Sequence, residues 1–321
     1  MTLLGIDGGG SGTKWALVGP DGDVLRQGRV GPLTGHVFVA ADRNRTKSVL
    51  QALAAEVLAR GQPAPDTVVA GISGLQQGAD AAFRSLMSEV FVVEEARVWV
   101  PDDLQLVYAA QFTPGEGVLV YAGTGSVAYH LTADGEVVRA GGHGFLLGDE
   151  GGAFWQGRAA LKALLELQDA GKELAGPLAD ELAGLTGGLA WPQLRRYVYE
   201  GGRSALAALA PGVYQAALAA DPLAVRVLAD AGRQLARLAG TVLARLESID
   251  PSSTSRADST VKGAGAACLP LVLAGGAANP LVRAAFVAEL PDFVHLLPRP
   301  PVLGAPRLHA QLRVSLETQP S

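Results

Sequence analysis

The chain begins with Met1-Thr2-Leu3-Leu4-Gly5-Ile6-Asp7-Gly8-Gly9-Gly10-Ser11-Gly12-Thr13-Lys14, an apolar strand that runs into a glycine-rich turn. Glycines permit positive φ angles and close approach of the backbone, so amide groups in such a turn can converge on an anion. Asp7 ends the strand with a carboxylate that a metal ion would bridge to phosphate. Hydroxyls and a positive charge follow in Ser11, Thr13 and Lys14. The pattern favours a phosphate-binding turn over an ordinary hairpin turn.

The residues after the turn predict a second strand. A P-loop and a Rossmann fingerprint both lead from their glycines into a helix. Here the glycines lead into the apolar run 15–18, then the turn Gly19-Pro20-Asp21-Gly22, then Val24-Leu25. This order predicts strand, turn, strand, turn, strand, so the phosphate would lie in a β-hairpin.

The hairpin pattern occurs twice in the chain. A shift of 113 positions places Gly10-Ser11-Gly12-Thr13 on Gly123-Thr124-Gly125-Ser126 and Asp21-Gly22 on Asp134-Gly135. The repeat indicates an internal duplication, in which two related domains each carry a phosphate-binding hairpin. An apolar strand ending in small residues also recurs, at 68–74 and at 271–277.

The chain length and a segment rich in proline and glycine predict two α/β domains. A chain of 321 residues usually forms two domains. Thr113-Pro114-Gly115-Glu116-Gly117 is the predicted hinge, which divides the chain into 1–113 and 114–321. A largely helical stretch in the second domain is expected from Asp149 to Ser248, and the polar segment 252–265 is expected to be a surface loop.

Composition excludes several classes of protein. The net charge is −5 and no basic run is present, which argues against nucleic acid as a partner. The single cysteine, Cys268, rules out a disulfide framework and a cysteine metal cluster, and the apolar run around it predicts a core position. No run of 18 apolar residues and no signal-peptide pattern are found, so we expect a cytoplasmic protein without a membrane partner.

Two acidic positions are candidates for chemistry. Asp102 and Asp103 follow the predicted strand 98–100 at the start of a helix. Either carboxylate suits helix capping, and one of the two suits a general base; we favour Asp103 as the base and Asp102 as the cap. In the glycine-rich stretch 141–152, Asp149 or Glu150 could accept hydrogen bonds from sugar hydroxyls or cap the following helix.

Four motifs in order carry a family resemblance: Asp7 to Lys14, Gly123 to Ser126, Gly148-Asp149-Glu150-Gly151 and Gly275-Gly276-Ala277-Ala278-Asn279-Pro280. Together they resemble the BadF/BadG/BcrA/BcrD ATPase family, and within it the N-acetylglucosamine kinases, from Met1 to about Ala310. The resemblance implies two duplicated RNase-H-like (actin-like ATPase) α/β domains around an inter-domain nucleotide cleft. It also implies ATP and Mg²⁺ as cofactors, phosphorylation of a sugar 6-hydroxyl, and a homodimer.

The resemblance also implies roles for individual residues. Asp7 would lie near Mg²⁺, and Asp103 would accept the proton of the sugar 6-hydroxyl. The nucleotide would be bound by Gly9, Gly10, Ser11, Gly12, Thr13, Lys14, Gly123, Thr124, Gly125, Gly275, Gly276 and Asn279. The sugar would be bound by Gly35, His36, Asp103, Ser126, Gly142, His143 and Asp149.

Two stretches depart from the pattern of the N-acetylglucosamine kinases. Those enzymes hold the N-acetyl group with an asparagine and an aromatic residue where this chain has Gly35-His36, and they have a Gly-Trp pair where it has Gly142-His143. Both histidines are candidates to replace the lost contacts. Glucosamine or another hexose therefore stays open as the substrate. In a different class, a regulatory ATP-binding protein is an alternative, as is an ATPase activator, although the activator branch needs iron–sulfur cysteines that this chain lacks.

Overall fold

The structure, a computed structural model, describes residues 1–10, 12–33, 35, 38, 40–59, 64–75, 78–249 and 269–317. Four features predicted from sequence therefore lie outside the described residues: Ser11, His36, Cys268 and the polar segment 252–265. The chain forms two compact units, one made of Met1–Thr113 and Arg299–Ser321 and the other of Pro114–Pro298.

The first unit is built on a five-stranded mixed sheet. The strands are β1 (Leu3–Gly9), β2 (Gly12–Val18), β3 (Val24–Val30), β4 (Thr67–Ile72) and β5 (Val98–Trp99). Their order in the sheet is β3-β2-β1-β4-β5. The hairpin strands β1 to β3 pair antiparallel, whereas β4 pairs parallel with both β1 and β5. The helices of this unit are α1 (Ala40–Val57), α2 (Ala79–Phe91), α3 (Asp103–Gln111) and α10 (Ala305–Glu317).

Helices cover both faces of this sheet. Successive side chains of a strand point to opposite faces. Accordingly, Leu4 and Ile6 of β1 are buried among residues of α1 and α2, and Leu3 is buried with residues of α3 and α10. The central strands β1 and β4 are therefore apolar on both faces, as the sequence of a covered α/β sheet should be.

The C-terminal segment corrects the predicted domain boundary. The sequence-based division placed 114–321 in the second domain, but Arg299 onward belongs to the first unit. Ala305 and Leu308 of α10 are buried against the first sheet. The 3₁₀ turn Pro301–Gly304, which precedes α10, packs closely on β1: a Cβ at Gly5 would be 2.6 Å from the Val302 carbonyl oxygen. A chain cut at the hinge near Thr113 would therefore separate α10 from its apolar partners in β1 and α3.

The second unit repeats the topology of the first. Its strands are β6 (Val118–Ala122), β7 (Ser126–Leu131), β8 (Val137–Gly141), β9 (Leu271–Ala274) and β10 (His295–Leu296). They form a sheet in the order β10-β9-β6-β7-β8, in which β6 to β8 pair antiparallel and β9 and β10 lie parallel beside them. The duplication predicted from the hairpin repeat is confirmed, and β4 and β9 take equivalent places in the two sheets.

Helices make up most of the rest of the second unit. They are α4 (Ala153–Asp169), α5 (Pro177–Thr186), α6 (Trp191–Ala208), α7 (Ala210–Leu218), α8 (Pro222–Ile249) and α9 (Pro280–Glu289). The long helix α8 packs on α9 and on strands β6 to β8. A kink interrupts α6 at Gly202, where φ is 58° and ψ is −143°. Over the part of the chain that the structure describes, no helix has the length and apolar character needed to cross a membrane.

Candidate active site

The first hairpin has the predicted strand–turn–strand form. The pairing of β1 with β2 runs from Leu3 opposite Val18 to Gly9 opposite Gly12, and it places Asp7 opposite Lys14. Burial raises the pKa of the Asp7 carboxyl, and the nearby Lys14 ammonium opposes that rise. A carboxylate at the end of a buried strand beside a lysine is an arrangement that suits a metal–phosphate complex.

The hydroxyl of Thr13, which was expected to face the nucleotide, is engaged within the first unit. Thr13 is fully buried, and its hydroxyl donates a 2.8 Å hydrogen bond to the carbonyl oxygen of Gly31. The hydroxyl therefore holds the loop after β3 instead of facing a phosphate, because a threonine on the inner face of β2 points into the unit. With 0% of its surface exposed, Thr13 presents neither its hydroxyl nor its backbone to solvent.

A second cation lies at the first hairpin, and sequence reasoning missed it. Arg29 of β3 is exposed and lies opposite Lys14 in the pairing of β2 with β3. Its guanidinium packs against Gly12, where a Cβ would be 2.8 Å from Arg29 Nε and where φ is +149°. Arg29 could have been found from the sequence only by pairing the predicted strands β2 and β3, because that register places it opposite Lys14. A search for short motifs does not pair strands.

Ser73, which follows β4, connects three predicted features of the first unit. Its hydroxyl donates to Asp103 Oδ2 at 2.6 Å, and its N–H donates to the Gly8 carbonyl oxygen at 2.8 Å. Its own carbonyl oxygen accepts a 3.1 Å hydrogen bond from the Gly35 N–H. The structure thus brings the hairpin, Gly35 and Asp103 together through one serine.

Gly35 is buried at a place where no larger residue fits this backbone. A Cβ at Gly35 would be 2.2 Å from the Gly74 carbonyl oxygen and 2.4 Å from Leu75 Cα. Because these contacts are to backbone, a side chain there would require the chain itself to move. The glycine is therefore part of how the loop packs on the segment after β4.

The two adjacent aspartates have different tasks. Asp102 is exposed and is the N-cap of α3, where Oδ1 accepts a 2.9 Å hydrogen bond from the Leu104 N–H. Asp103 is largely withdrawn from solvent, and its pKa is raised from 3.8 to about 6. Burial is the main cause, the Ser73 hydrogen bond opposes it, and the negative charge of Asp102 adds to it. At neutral pH the Asp103 carboxylate is ionised yet more basic than an exposed one, which suits a general base.

The raised pKa makes Asp103 a cost to folding at neutral pH. The folded state holds the proton more tightly than the unfolded chain, so stability falls as the pH rises from about 4 to about 6 and stays lower above that. We expect Asp103→Asn to increase the free energy of unfolding by about 1–3 kcal/mol at about pH 7.5, with little gain at about pH 4. Urea unfolding of both proteins at the two pH values measures this, and a gain independent of pH would contradict it.

The second hairpin is anchored to a helix. Gly123 N–H donates to the Gly125 carbonyl oxygen at 2.9 Å and closes the turn between β6 and β7. The first amides of α4 then bind the turn, with Ala153 N–H donating to Gly123 O at 2.9 Å and Phe154 N–H to Thr124 O at 3.1 Å. These bonds satisfy orphan donors of the helix and hold the turn in one conformation.

Asp149 and Ser126, two of the predicted sugar contacts, are brought together. Asp149 is only 3% exposed, and its φ of 65° is unusual for a residue other than glycine. Its Oδ1 accepts a 3.4 Å hydrogen bond from the Ser126 N–H, while the Ser126 hydroxyl donates to the Glu150 carbonyl oxygen at 2.6 Å. Gly125 must lack a side chain, because a Cβ would be 2.3 Å from Asp149 Oδ2.

Arg203 is the charged partner of Asp149, and sequence reasoning missed it. Its Nη2 lies 3.2 Å from Asp149 Oδ2, and its guanidinium lies 5.7 Å from the centre of the Phe145 ring. Arg203 follows the kink at Gly202 in α6, 54 residues after Asp149. No short motif joins two residues so far apart, so the tertiary structure alone reveals the pair.

The remaining predicted positions lie around the ends of β8 and β9. Gly142 and His143 are exposed, and Gly142 N–H donates to Ser126 O at 2.9 Å. In the predicted adenosine turn, Gly275 has a φ of +101° and Gly276 is exposed. Asn279 is the N-cap of α9, with Oδ1 accepting from two backbone amides at 3.1 Å. Its side-chain oxygen is thus engaged in capping.

The donor set is compatible with Mg²⁺ bound together with a nucleotide. No cluster of three or more histidine, cysteine, aspartate or glutamate side chains occurs among the described residues. Mg²⁺ usually keeps several waters and takes one or two carboxylates plus phosphate oxygens. A single carboxylate at Asp7 beside a glycine turn fits this mode. When bound there, the ion would supply positive charge to phosphate oxygens.

Two sheets of the same topology, each with a glycine-turn hairpin beside parallel strands, define the fold of the actin-like ATPases and sugar kinases. A ROK family glucokinase from Streptomyces griseus, solved in complex with glucose and AMPPNP, shares this fold with a TM-score of 0.54 at 16% identity, covering 97% of this chain and 100% of that one. The chain belongs to the BadF/BadG/BcrA/BcrD ATPase family, whose model matches residues 4–292.

Two proteins similar to this chain are named as sugar kinases. An N-acetylmuramic acid/N-acetylglucosamine kinase from Clostridium acetobutylicum is 29% identical over 243 residues, which cover 73% of this chain and 76% of that protein. The crystal structure of a candidate N-acetylglucosamine kinase from Chromobacterium violaceum matches with a TM-score of 0.69 at 25% identity, covering 96% of this chain and 98% of that one.

Proposed function

We propose that this protein is an ATP-dependent sugar kinase that phosphorylates the 6-hydroxyl of an amino sugar, with N-acetylglucosamine as the leading substrate. The observation that carries the proposal is the Asp103 carboxylate, held by Ser73 next to the glycine hairpin at Gly8. A partly buried carboxylate with a pKa of about 6 suits the proton acceptor of a sugar hydroxyl. The names of the Clostridium and Chromobacterium relatives support the same reaction.

The proposal divides the work between acid–base chemistry and charge stabilisation. Asp103 takes the proton as the hydroxyl oxygen attacks the γ-phosphorus, while the bond from the γ-phosphorus to the β,γ-bridging oxygen breaks and ADP leaves. Amide groups of the two hairpins and the Lys14 ammonium stabilise the charge that spreads over the phosphoryl oxygens, and Arg29 is placed at the first hairpin to assist. Asp7 would hold Mg²⁺, and Gly275 and Gly276 would receive the adenosine.

Sugar recognition is assigned to Asp149 and Ser126, which lie together in the second unit. Both bind hydroxyls there, and Gly35 packs close to Ser73 in the first unit. A specific observation favours glucosamine as the second candidate substrate. Because no side chain fits at Gly35 on this backbone, the asparagine contact implied for the N-acetyl group cannot form there. The exposed His143 is the remaining candidate in the described residues for that contact.

A sugar panel tests the proposed reaction. We expect ATP- and Mg²⁺-dependent ADP release with N-acetylglucosamine, and none with its 6-deoxy analogue, which keeps every other group. Glucosamine, glucose and N-acetylmuramic acid complete the panel, the last because the Clostridium relative is named for it. A phosphorus–carbon coupling at C6 of the product identifies the acceptor oxygen. Turnover confined to glucosamine or glucose would change the assigned substrate, and no turnover with any sugar would contradict the kinase reading.

A further inference from the structure

A buried glutamine joins two of the segments assigned to ligands. Gln156 lies in the first turns of α4 and is 0% exposed. Its Nε2 donates to the carbonyl oxygen of Gly151 at 2.9 Å and to that of Ala277 at 3.1 Å. Gly151 belongs to the loop 148–152 that carries Asp149, and Ala277 to the turn 275–279. One side-chain amide thus binds both segments.

The same junction includes the second hairpin. Ala277 N–H donates to the carbonyl oxygen of Ala122, the last residue of β6, at 2.9 Å. Gly152 packs directly on the hairpin, since a Cβ at Gly152 would be 2.7 Å from the Gly125 carbonyl carbon. A displacement of the loop 148–152 is therefore opposed by contacts to the hairpin and, through Gln156, to the turn 275–279.

The amide of Gln156 is satisfied on one side only. Its Oε1 is buried and has no hydrogen-bond partner among the described residues. An unsatisfied buried polar atom costs about 1–3 kcal/mol, and buried polar groups in native proteins are almost always paired. Methionine would fill a similar volume without an unpaired oxygen, but it would leave the carbonyl oxygens of Gly151 and Ala277 without this donor. What methionine cannot do is hold two carbonyl oxygens at hydrogen-bond distance from one nitrogen.

We infer that Gln156 is a positioning residue that couples the sugar loop 148–152 to the nucleotide turn 275–279. The inference rests on the ligand assignments of the proposed function. A ligand that orders either segment fixes one of the two carbonyl oxygens bound to Gln156 Nε2. The amide is then held in place, and its other N–H restrains the carbonyl oxygen of the second segment. Such coupling is reciprocal, so the sugar raises the affinity for nucleotide as much as the nucleotide raises the affinity for sugar.

Calorimetry of three proteins tests the coupling. The wild type, Gln156→Met and the control Thr186→Val are titrated with Mg²⁺-AMPPNP, with and without saturating N-acetylglucosamine. The control also loses buried side-chain hydrogen bonds, from Thr186 Oγ1 to two carbonyl oxygens at 2.7 and 2.8 Å, but at the end of α5. We expect the sugar to tighten AMPPNP binding by about 5–150-fold in wild type and control. In Gln156→Met the factor should fall to about twofold or less.

Hydrogen exchange of the unliganded proteins gives an independent measure. The Gly152 and Ala277 amides donate backbone hydrogen bonds, so we expect both to be protected, and exchange at both to quicken in Gln156→Met but not in Thr186→Val. An unchanged coupling factor in Gln156→Met, no coupling in a wild type that binds both ligands, or unchanged exchange at both amides would overturn the inference. If the wild type bound neither ligand, the proposed function would fail, and exchange alone would decide whether Gln156 holds the two segments.

Discussion

Asp103→Asn is expected to lower kcat by about 10²–10⁴-fold while the protein stays folded, which is the usual contribution of a general base. Asparagine keeps the size of the side chain and can still accept the hydrogen bond from Ser73, but it cannot take a proton. Sugar and nucleotide binding should change little, so the loss falls on kcat and not on KM. Steady-state kinetics with circular dichroism as a check on folding measure this.

Asp102→Asn is the matched control for that substitution. Asparagine is as good an N-cap as aspartate, so the bond to Leu104 N–H and the start of α3 should persist. The variant should keep activity within a few fold. Because the Asp102 charge raises the pKa of Asp103, its removal should move the acid limb of kcat/KM, expected near pH 6 in the wild type, to lower pH. Full activity in Asp103→Asn, or the larger loss in Asp102→Asn, would reverse the two roles.

The second large effect is expected at Gly275. Its φ of +101° is strained for any other residue, and a Cβ there would be 2.3 Å from the Ala122 carbonyl oxygen and 2.5 Å from the Ala122 carbonyl carbon. The atoms in the way belong to the backbone of the central strand β6, so neither Ala122 nor the turn at Gly275 can move easily to make room. Gly275→Ala should lower the free energy of unfolding by about 2–5 kcal/mol, which urea denaturation measures.

A substitution at the adjacent Gly276 tests ligand binding without a change in stability. Gly276 is exposed, and no atom would lie within 4 Å of a Cβ there. Gly276→Ala should therefore leave stability within about 0.5 kcal/mol of the wild type. If the turn receives adenosine as proposed, the same substitution raises KM for ATP at unchanged stability. Equal destabilisation by the two alanines would show that the local backbone differs from that described.

Much of the fold could be predicted from local sequence. The alternation of apolar strands with glycine turns predicted both hairpins, because strand pairing and turn chemistry depend on residues close together in the chain. The repeat at a shift of 113 positions predicted two sheets of one topology, which the structure confirms. The boundary near Arg299 could not be predicted, since the place where α10 packs depends on apolar partners in β1 and α3.

From the sequence alone, four sets of residues could be selected as candidates for chemistry: the two glycine hairpins, the adjacent aspartates, the loop 148–152 and the turn 275–279. The contacts of their side chains could be read only from the folded chain. The tertiary structure made Asp102 a cap and buried Asp103 beside Ser73, and it directed the Thr13 hydroxyl inward. The physical reason is that glycine turns and caps act over a few residues. Burial, charge pairing and shared hydrogen bonds, such as those of Arg203 and Gln156, join residues whose separation in sequence carries no signal.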